Sequence, residues 1–289
     1  MVPEDHNQNE TNMQSSDEHR KNASANANDG GRYTYADASL ISDFWRAMTL
    51  LSRVPVVDID DFRPVMIARS VWTWPLVGLL LAGLALLPAM LVHYLTDNAL
   101  IFAIFAVAGM VLLTGSMHED GMADCADGFG GGVGRARKLE IMRDSHIGTY
   151  GVVALILCVG LRLIVLNSAA SIGQAAIAFL MMAITSRAAM PVVMRILPSA
   201  RDNGLGKGAG RPGWIPILVG IVIAAGLCVV LSGVFVTLAV LLGALMAIAL
   251  VSLVARWQIG GQTGDVLGAT QLCAELFIGI AFIAVMNLL

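Results

Sequence analysis

Three aspartates, Asp120, Asp124 and Asp127, stand at i, i+4 and i+7 in the run Met117-His-Glu-Asp-Gly-Met-Ala-Asp-Cys-Ala-Asp-Gly-Phe-Gly-Gly131. That spacing stacks three carboxylates on one helical face. Like charges held so close repel one another, so the stripe needs a cation or a cationic substrate to offset it. Hard oxygen ligands suit Mg²⁺ or Mn²⁺, the usual companions of phosphate chemistry. The bland alternative is a solvated helix face. Such faces mix signs, whereas no Lys or Arg stands at i±3 or i±4 of these three acids.

Gly128, Gly130, Gly131 and Gly132 follow the stripe and are expected to break the helix, letting backbone amides approach a ligand. Next comes Arg135-Ala-Arg-Lys-Leu-Glu-Ile-Met-Arg-Asp-Ser-His-Ile-Gly148, a short basic helix ending in Asp144, Ser145 and His146. Arg143 and its neighbours could bind phosphate or simply set membrane topology. A second loop, Arg201-Asp-Asn-Gly-Leu-Gly-Lys-Gly-Ala-Gly-Arg211, interleaves glycines with Lys207 and Arg211. It could wrap a diphosphate or serve as a hinge. It is not a P-loop, since Gly208 rather than Ser or Thr follows Lys207.

A third loop, Gly260-Gly-Gln-Thr-Gly-Asp265, leads into the last apolar stretch, where Asp265 is either a helix cap or an acid of the site. Glu275 lies inside that stretch, and a carboxylate there is costly enough to need a partner or a cavity. Arg187, about ten residues inside another apolar stretch, is the expected partner. Arg162 lies nearer the opposite side, where a structural salt bridge or snorkelling accounts for it.

The elements that must position these groups are membrane helices. Of 289 residues 57% are hydrophobic and 13% charged, and the mean hydropathy is +0.74, far from the roughly 25% charged residues of a soluble domain. Seven stretches have the length of a span: Trp72 to Leu95, Ala99 to Met117, Gly151 to Ala169, Gln174 to Ile196, Trp214 to Leu231, Gly233 to Val254, and Val266 to Leu289. The Asp stripe reads as a continuation of the second. The predicted fold is an all-α polytopic membrane bundle covering residues 39–289, preceded by a polar, disordered tail over residues 1–38. That start is not a cleaved signal.

Lys and Arg number seven up to Arg69, four in the Asp-rich loop, four from Arg195 to Arg211 and one at Arg256, with none in the alternate connections. The positive-inside rule then places the N-terminus and the three acidic or glycine-rich loops in the cytoplasm. A net charge of −3 points to no nucleic-acid partner. Cys125, Cys158, Cys228 and Cys273 lack paired spacing and read as small core residues. Phe44, Ala47, Met48 and Leu51 form an amphipathic helix that lies in the membrane interface or packs on the bundle.

Several ordered segments together closely resemble the cobalamin synthase family. They are His118-Glu-Asp-Gly-Met-Ala-Asp-Cys-Ala-Asp-Gly128, Leu139-Glu-Ile-Met-Arg-Asp-Ser-His-Ile-Gly148 and Gly261-Gln-Thr-Gly-Asp-Val-Leu-Gly268, with shorter matches at Leu51-Ser-Arg-Val-Pro55, Trp74-Pro-Leu-Val-Gly78, Ser186-Arg-Ala-Ala189 and Arg195-Ile-Leu-Pro198. The similarity runs from about Ile41 to the C-terminus. It implies an inner-membrane enzyme that joins adenosylcobinamide-GDP to α-ribazole, or its 5'-phosphate, and releases GMP with Mg²⁺ as cofactor. It leaves room for association with other enzymes of vitamin B12 synthesis. Asp120, Asp124 and Asp127 would hold the metal, and Arg143, His146, Arg187, Lys207, Arg211 and Glu275 would serve substrate or phosphate. Asp144 and Asp265 are both available as the base. The family pattern reads His-Leu-Asp-Gly, so Glu119 is a departure, an added carboxylate that either strengthens cation binding or faces water.

Two other classes compete. Asp124-Cys-Ala-Asp-Gly128 opens like a CDP-alcohol phosphatidyltransferase, but Phe129-Gly-Gly-Gly stands where that family continues toward Ala-Arg, and its later aspartates are missing. A cation-coupled transporter would concentrate acids at mid-membrane, where only Glu275 lies.

Overall fold

The computed structural model describes residues 39–55, 63–201 and 210–288; the polar tail and Lys207 lie outside them. Ten helices are named here: α1 Leu40–Leu51, α2 Pro64–Ser70, α3 Trp74–Thr96, α4 Ala99–Thr114, α5 Met117–Gly131, α6 Arg135–Ile141, α7 Thr149–Asn167, α8 Ile172–Ile196, α9 Trp214–Ile259 and α10 Gly264–Met286. A 3-10 turn, Val71–Thr73, links α2 to α3. Residues 40–289 form one compact unit.

Local chemistry sets the ends of these helices. Asn98 caps α4 by accepting from Leu100 N and Ile101 N at 3.0 and 3.1 Å, Ser171 caps α8 through Gln174 N, and Thr263 caps α10 through Val266 N. Five helices are long and apolar enough to cross a bilayer: α3 with its lead-in, α7, α8, α9 and α10. Helices α4 and α5 pass the same test only when the bent pair is taken together. The expected seventh is folded into α9, whose 46 residues would stretch about 69 Å, twice a bilayer core.

Gly233 breaks that run, with φ 78 and ψ 176, values that penalise any side chain. Contacts prove the reversal. Arg195, at the end of α8, lies over the Trp214 ring that starts α9, and Ser232 Oγ donates to Met181 Sδ halfway back along α8. Past the far end of α9, Gln262 N donates to Pro198 O, again just beyond α8. Both ends of α9 therefore sit at one end of the bundle, called here the site end, and Gly233 is the hairpin at the other.

Helix α8 is the central one: 83% of its most apolar stretch is buried, against 28% for α7. Gly78 of α3 packs against it so closely that an added Cβ would lie 2.3 Å from Ala183 O. Outward-facing Leu87, Ile156, Leu238 and Leu253 are exposed, as lipid-facing positions must be. The cysteines are free, and three are fully buried.

Two expectations are corrected. The Asp stripe does not continue the second span: Gly115 and Ser116, at φ 63 and 58, turn the chain so that α5 lies at 88° to α4. The second is one of position: the run of glycines does end the helix, but only after Gly131, with Gly132 as its cap. They are packing contacts, since a Cβ on Gly128 would strike Met142 at 2.4 Å and one on Gly130 the Tyr150 ring at 2.7 Å.

Helix α1 takes the second of its two expected places and packs on the bundle. Its fully buried Asp43 bonds Arg46 Nη1, Arg69 Nε and Trp72 Nε1, each at 3.1 Å. One carboxylate thus pins α1 to the turn that begins α3.

Candidate active site

Helix α5 crosses the first turn of α10, and glycines set the distance. A Cβ on Gly121 would lie 2.8 Å from Asp265 O, and one on Gly268 would lie 3.2 Å from His118 Cα. This close approach brings Asp120 and Asp124 of α5 beside Asp265 of α10. The far end of α5 is fastened by Asp127, whose Oδ2 accepts from Gly148 N at 2.7 Å and Oδ1 from Gly151 N at 2.8 Å. Asp127 therefore caps the start of α7, where a carboxylate is favoured by the exposed amides.

Arg201 closes the group from above. Paired bonds, Ala200 N to Gln262 O and Gln262 N to Pro198 O, both 2.8 Å, hold its strand of loop beside the turn before α10. Its guanidinium meets Asp265 Oδ2 at 3.3 Å and donates to Leu139 O. Arg135 ties α6 to the same loop through Ala200 O.

Two cavities flank α5. One, of about 270 Å³, is walled by apolar side chains including Leu51, Ile67, Trp74 and Met190, with His118, Asp120, Asp265 and Arg201 at its polar edge. The other, of about 620 Å³, gathers more charged and polar groups, Asp120, Asp124, Arg143, Asp144, Ser145 and His146, over a floor that includes Val111, Met142 and Leu155. Asp120 lines both.

The charges in this space are poorly balanced. Burial, then Asp120 and Asp265, push the Asp124 carboxyl up to about 7, which is the behaviour of an acid crowded by acids. In contrast, the exposed Asp144 is held below its ordinary value by hydrogen bonds from His146, whose Nδ1 lies 2.7 Å from Asp144 Oδ1.

Among the described residues no group of three His, Cys, Asp or Glu side chains is set to hold a metal ion. Two carboxylates with substrate phosphates are a normal Mg²⁺ environment, however, and hard oxygens on Asp120 and Asp124 fit that chemistry. Each oxygen of Asp127 is already engaged by a backbone amide.

The other candidates lie elsewhere. Arg211 donates twice to Arg195 O, at 3.0 and 2.8 Å, on the exposed connection into α9. Arg187 is fully buried; it donates to Ala183 O and Met110 Sδ. Glu275 is buried too, but its nearest cation is Arg162 at 3.3 Å rather than Arg187 at 4.0 Å. The expected pairing is thus secondary, because the long Arg162 side chain reaches inward to it.

Of the two places expected for Glu119, the water-facing one is not observed. Its Oε1 accepts from Arg162 Nη2 at 2.9 Å, with both side chains buried. Glu275 also accepts from Gln271 Nε2 at 2.5 Å. Two guanidinium groups and two carboxylates thereby balance inside the apolar bundle and link α5 to α7, α8 and α10. Several atoms of this interior have no protein partner, among them His118 Nε2, Glu119 Oε2 and Arg187 Nε.

Sequence reasoning passed over Arg201, although it opens the glycine-rich loop and stands three residues after Pro198. It also missed the whole apolar wall, which comes from α1, α2, α3 and α8, segments without a chemical motif.

A model of the cobalamin-5-phosphate synthase family matches residues 43–283. Proteins named adenosylcobinamide-GDP ribazoletransferase are similar along most of their length. The one from Azorhizobium caulinodans is 42% identical over 82% of this chain and 93% of its own. That from Sinorhizobium medicae is 41% identical over 82% and 96%, and that from Bradyrhizobium diazoefficiens 38% over 83% and 92%. No solved structure matches the chain. The matched segment contains both cavities, the whole of α5 and the Glu119–Arg162 pair, and the chain belongs to the cobalamin-5-phosphate synthase family.

Proposed function

We infer that this chain completes the nucleotide loop of cobalamin, joining adenosylcobinamide-GDP to α-ribazole, or its 5'-phosphate, and releasing GMP. Within a chain of this family, the observation that carries the reading is the position of Asp120, between a cavity rich in carboxylates that also holds Arg143 and His146 and a mostly apolar one. Two unlike substrates can meet there.

In the reaction a ribazole hydroxyl oxygen bonds to the phosphorus attached to cobinamide. The bond from that phosphorus to the oxygen of GMP breaks, and the hydroxyl proton passes to a carboxylate or to water. Mg²⁺ is the cofactor assigned, held by Asp120 and Asp124, and it would neutralise charge on the diphosphate and the leaving GMP. Arg143 and His146, on the wall facing Asp124, would donate to phosphate oxygens as charge develops. Asp127 keeps α5 in register with α7. Lys207 and Arg211 remain candidates for the outer phosphates.

The Lys and Arg distribution supports a site end that faces the cytoplasm at the inner membrane, where a nucleotide-activated substrate would be available. The test is to incubate the purified protein in lipid vesicles with both substrates and Mg²⁺. The reading requires cobalamin, or its 5'-phosphate, and GMP in equal amounts. No product, with CMP released from a CDP-activated lipid instead, would assign the chemistry to lipid synthesis.

A further inference from the structure

We propose that the two cavities divide the substrates: the apolar cavity binds the benzimidazole nucleoside, and the polar cavity binds the nucleotide diphosphate. This rests on the reaction proposed above and adds which wall recognises which partner, and therefore from which side the nucleophile arrives.

The apolar cavity has walls from four elements. Leu51 of α1, Ile67 of α2, Trp74 of α3 and Met190 of α8 are each at most 5% exposed. At about 270 Å³ it holds a small nucleoside and excludes a corrin ring. Apolar and aromatic walls with a few polar groups at one edge are what a flat, uncharged base needs. Those edge groups are His118, whose buried Nε2 has no protein partner, with Asp120, Asp265 and Arg201.

The polar cavity, at about 620 Å³, is the larger. Arg143, Ser145 and His146 face it from the turn after α6, and Asp120 and Asp124 from α5. That set suits a diphosphate with its metal, and Val111, Met142, Ile147 and Leu155 complete the wall around it. The corrinoid, too bulky for either space, would stay at the polar mouth.

A ribose hydroxyl entering from the apolar side reaches Asp120 beside Asp265. Arg201 and Thr263 both bond Asp265 Oδ2, and this carboxylate, not assigned to the metal, is placed to take the hydroxyl proton. Asp144, on the polar wall, lies on the side of the leaving GMP. The oxygen–phosphorus bond forms from the apolar side, the bond to GMP oxygen breaks toward the polar side, and the proton ends on Asp265.

Protection from chemical labelling tests the partition without requiring turnover. Leu50→Cys, in the apolar cavity, and Ser145→Cys, in the polar one, are each introduced into the full-length protein in vesicles and reacted with a small maleimide. α-Ribazole should slow labelling at position 50 alone, and GDP with Mg²⁺ should slow it at position 145 alone. The opposite pattern, or protection of both positions by both compounds, would overturn the partition.

Kinetics give a second measure. Ile67→Phe should raise KM for α-ribazole roughly tenfold by overfilling the wall, leaving KM for adenosylcobinamide-GDP within about twofold. An equal change in both would also overturn it. Failure of the wild-type protein to make any cobalamin would instead defeat the underlying reaction, so the two failures are distinguishable.

Discussion

Replacing Glu119 by Leu tests whether the bundle depends on its buried charge balance. Glu119 Oε1 lies 2.9 Å from Arg162 Nη2, and both are buried. Opposite charges about 4 Å apart attract by about 4 kcal/mol at an effective dielectric near 20, and deleting one partner of a buried pair usually costs about 3–5 kcal/mol. Arg162 would keep Glu275 at 3.3 Å, but Arg187 also faces that carboxylate at 4.0 Å. Two cations would then share one anion. The expected loss for Glu119→Leu is therefore about 3 kcal/mol, the lower end of the range. Arg162→Met should cost at least as much, since it leaves Glu119 without its cation and Glu275 with only the longer contact to Arg187. The double variant restores neutrality and should lose less than the sum of the singles, with a coupling of about 2 kcal/mol or more. Equilibrium unfolding in mixed micelles titrated with SDS measures all four proteins. A coupling within about 0.5 kcal/mol of zero would show that the pair is incidental and that α5 is held by packing alone.

Other expectations follow from named contacts. Gly121→Ala places a Cβ 2.8 Å from Asp265 O; it should separate α5 from α10 and cut kcat by about tenfold or more, whereas unchanged kcat would mean that Asp120 and Asp265 need not be adjacent. Asp127→Ala strands the amides of Gly148 and Gly151 and should cost about 1–3 kcal/mol of stability, read in the same SDS titration; a neutral result would remove its capping role. Chelation with EDTA should abolish product formation and added Mg²⁺ restore it, while full activity in EDTA would exclude the assigned cofactor. Asp43→Asn should loosen α1, which thermal inactivation in vesicles would record as a shorter half-life; an unchanged half-life would deny its pinning role.

The membrane bundle was readable because each span is long, apolar and bounded by caps or glycines, and Gly233 marked the hairpin that divides α9. The Asp stripe was readable as a helix face, since its spacing needs no tertiary knowledge. Its direction was not: the turn at Ser116 depends on a left-handed conformation that a serine seldom adopts and that only packing enforces. That Asp127 also fastens the start of α7 was not readable, because the chain shows spacing and hides the amides of Gly148 and Gly151. Arg162 was read as either a salt-bridged or a snorkelling residue, and the choice needed its partner Glu119, 43 residues away. The apolar wall was invisible for a similar reason: Leu51 and Trp74 lie in segments of the family resemblance, but nothing in them, or in Ile67 and Met190, shows a shared cavity until four helices bring them together.

The central claim is that the edge of α5 carrying Asp120 and Asp124 is the reaction centre. Its most direct test is turnover by Asp124→Asn beside the wild type, in the same vesicles with both substrates and Mg²⁺, with GMP and the corrinoid product quantified together. The variant should insert and unfold like the wild type yet form both products at least about 10²-fold more slowly. Turnover within a few-fold of wild type would contradict the assignment and move the chemistry away from α5.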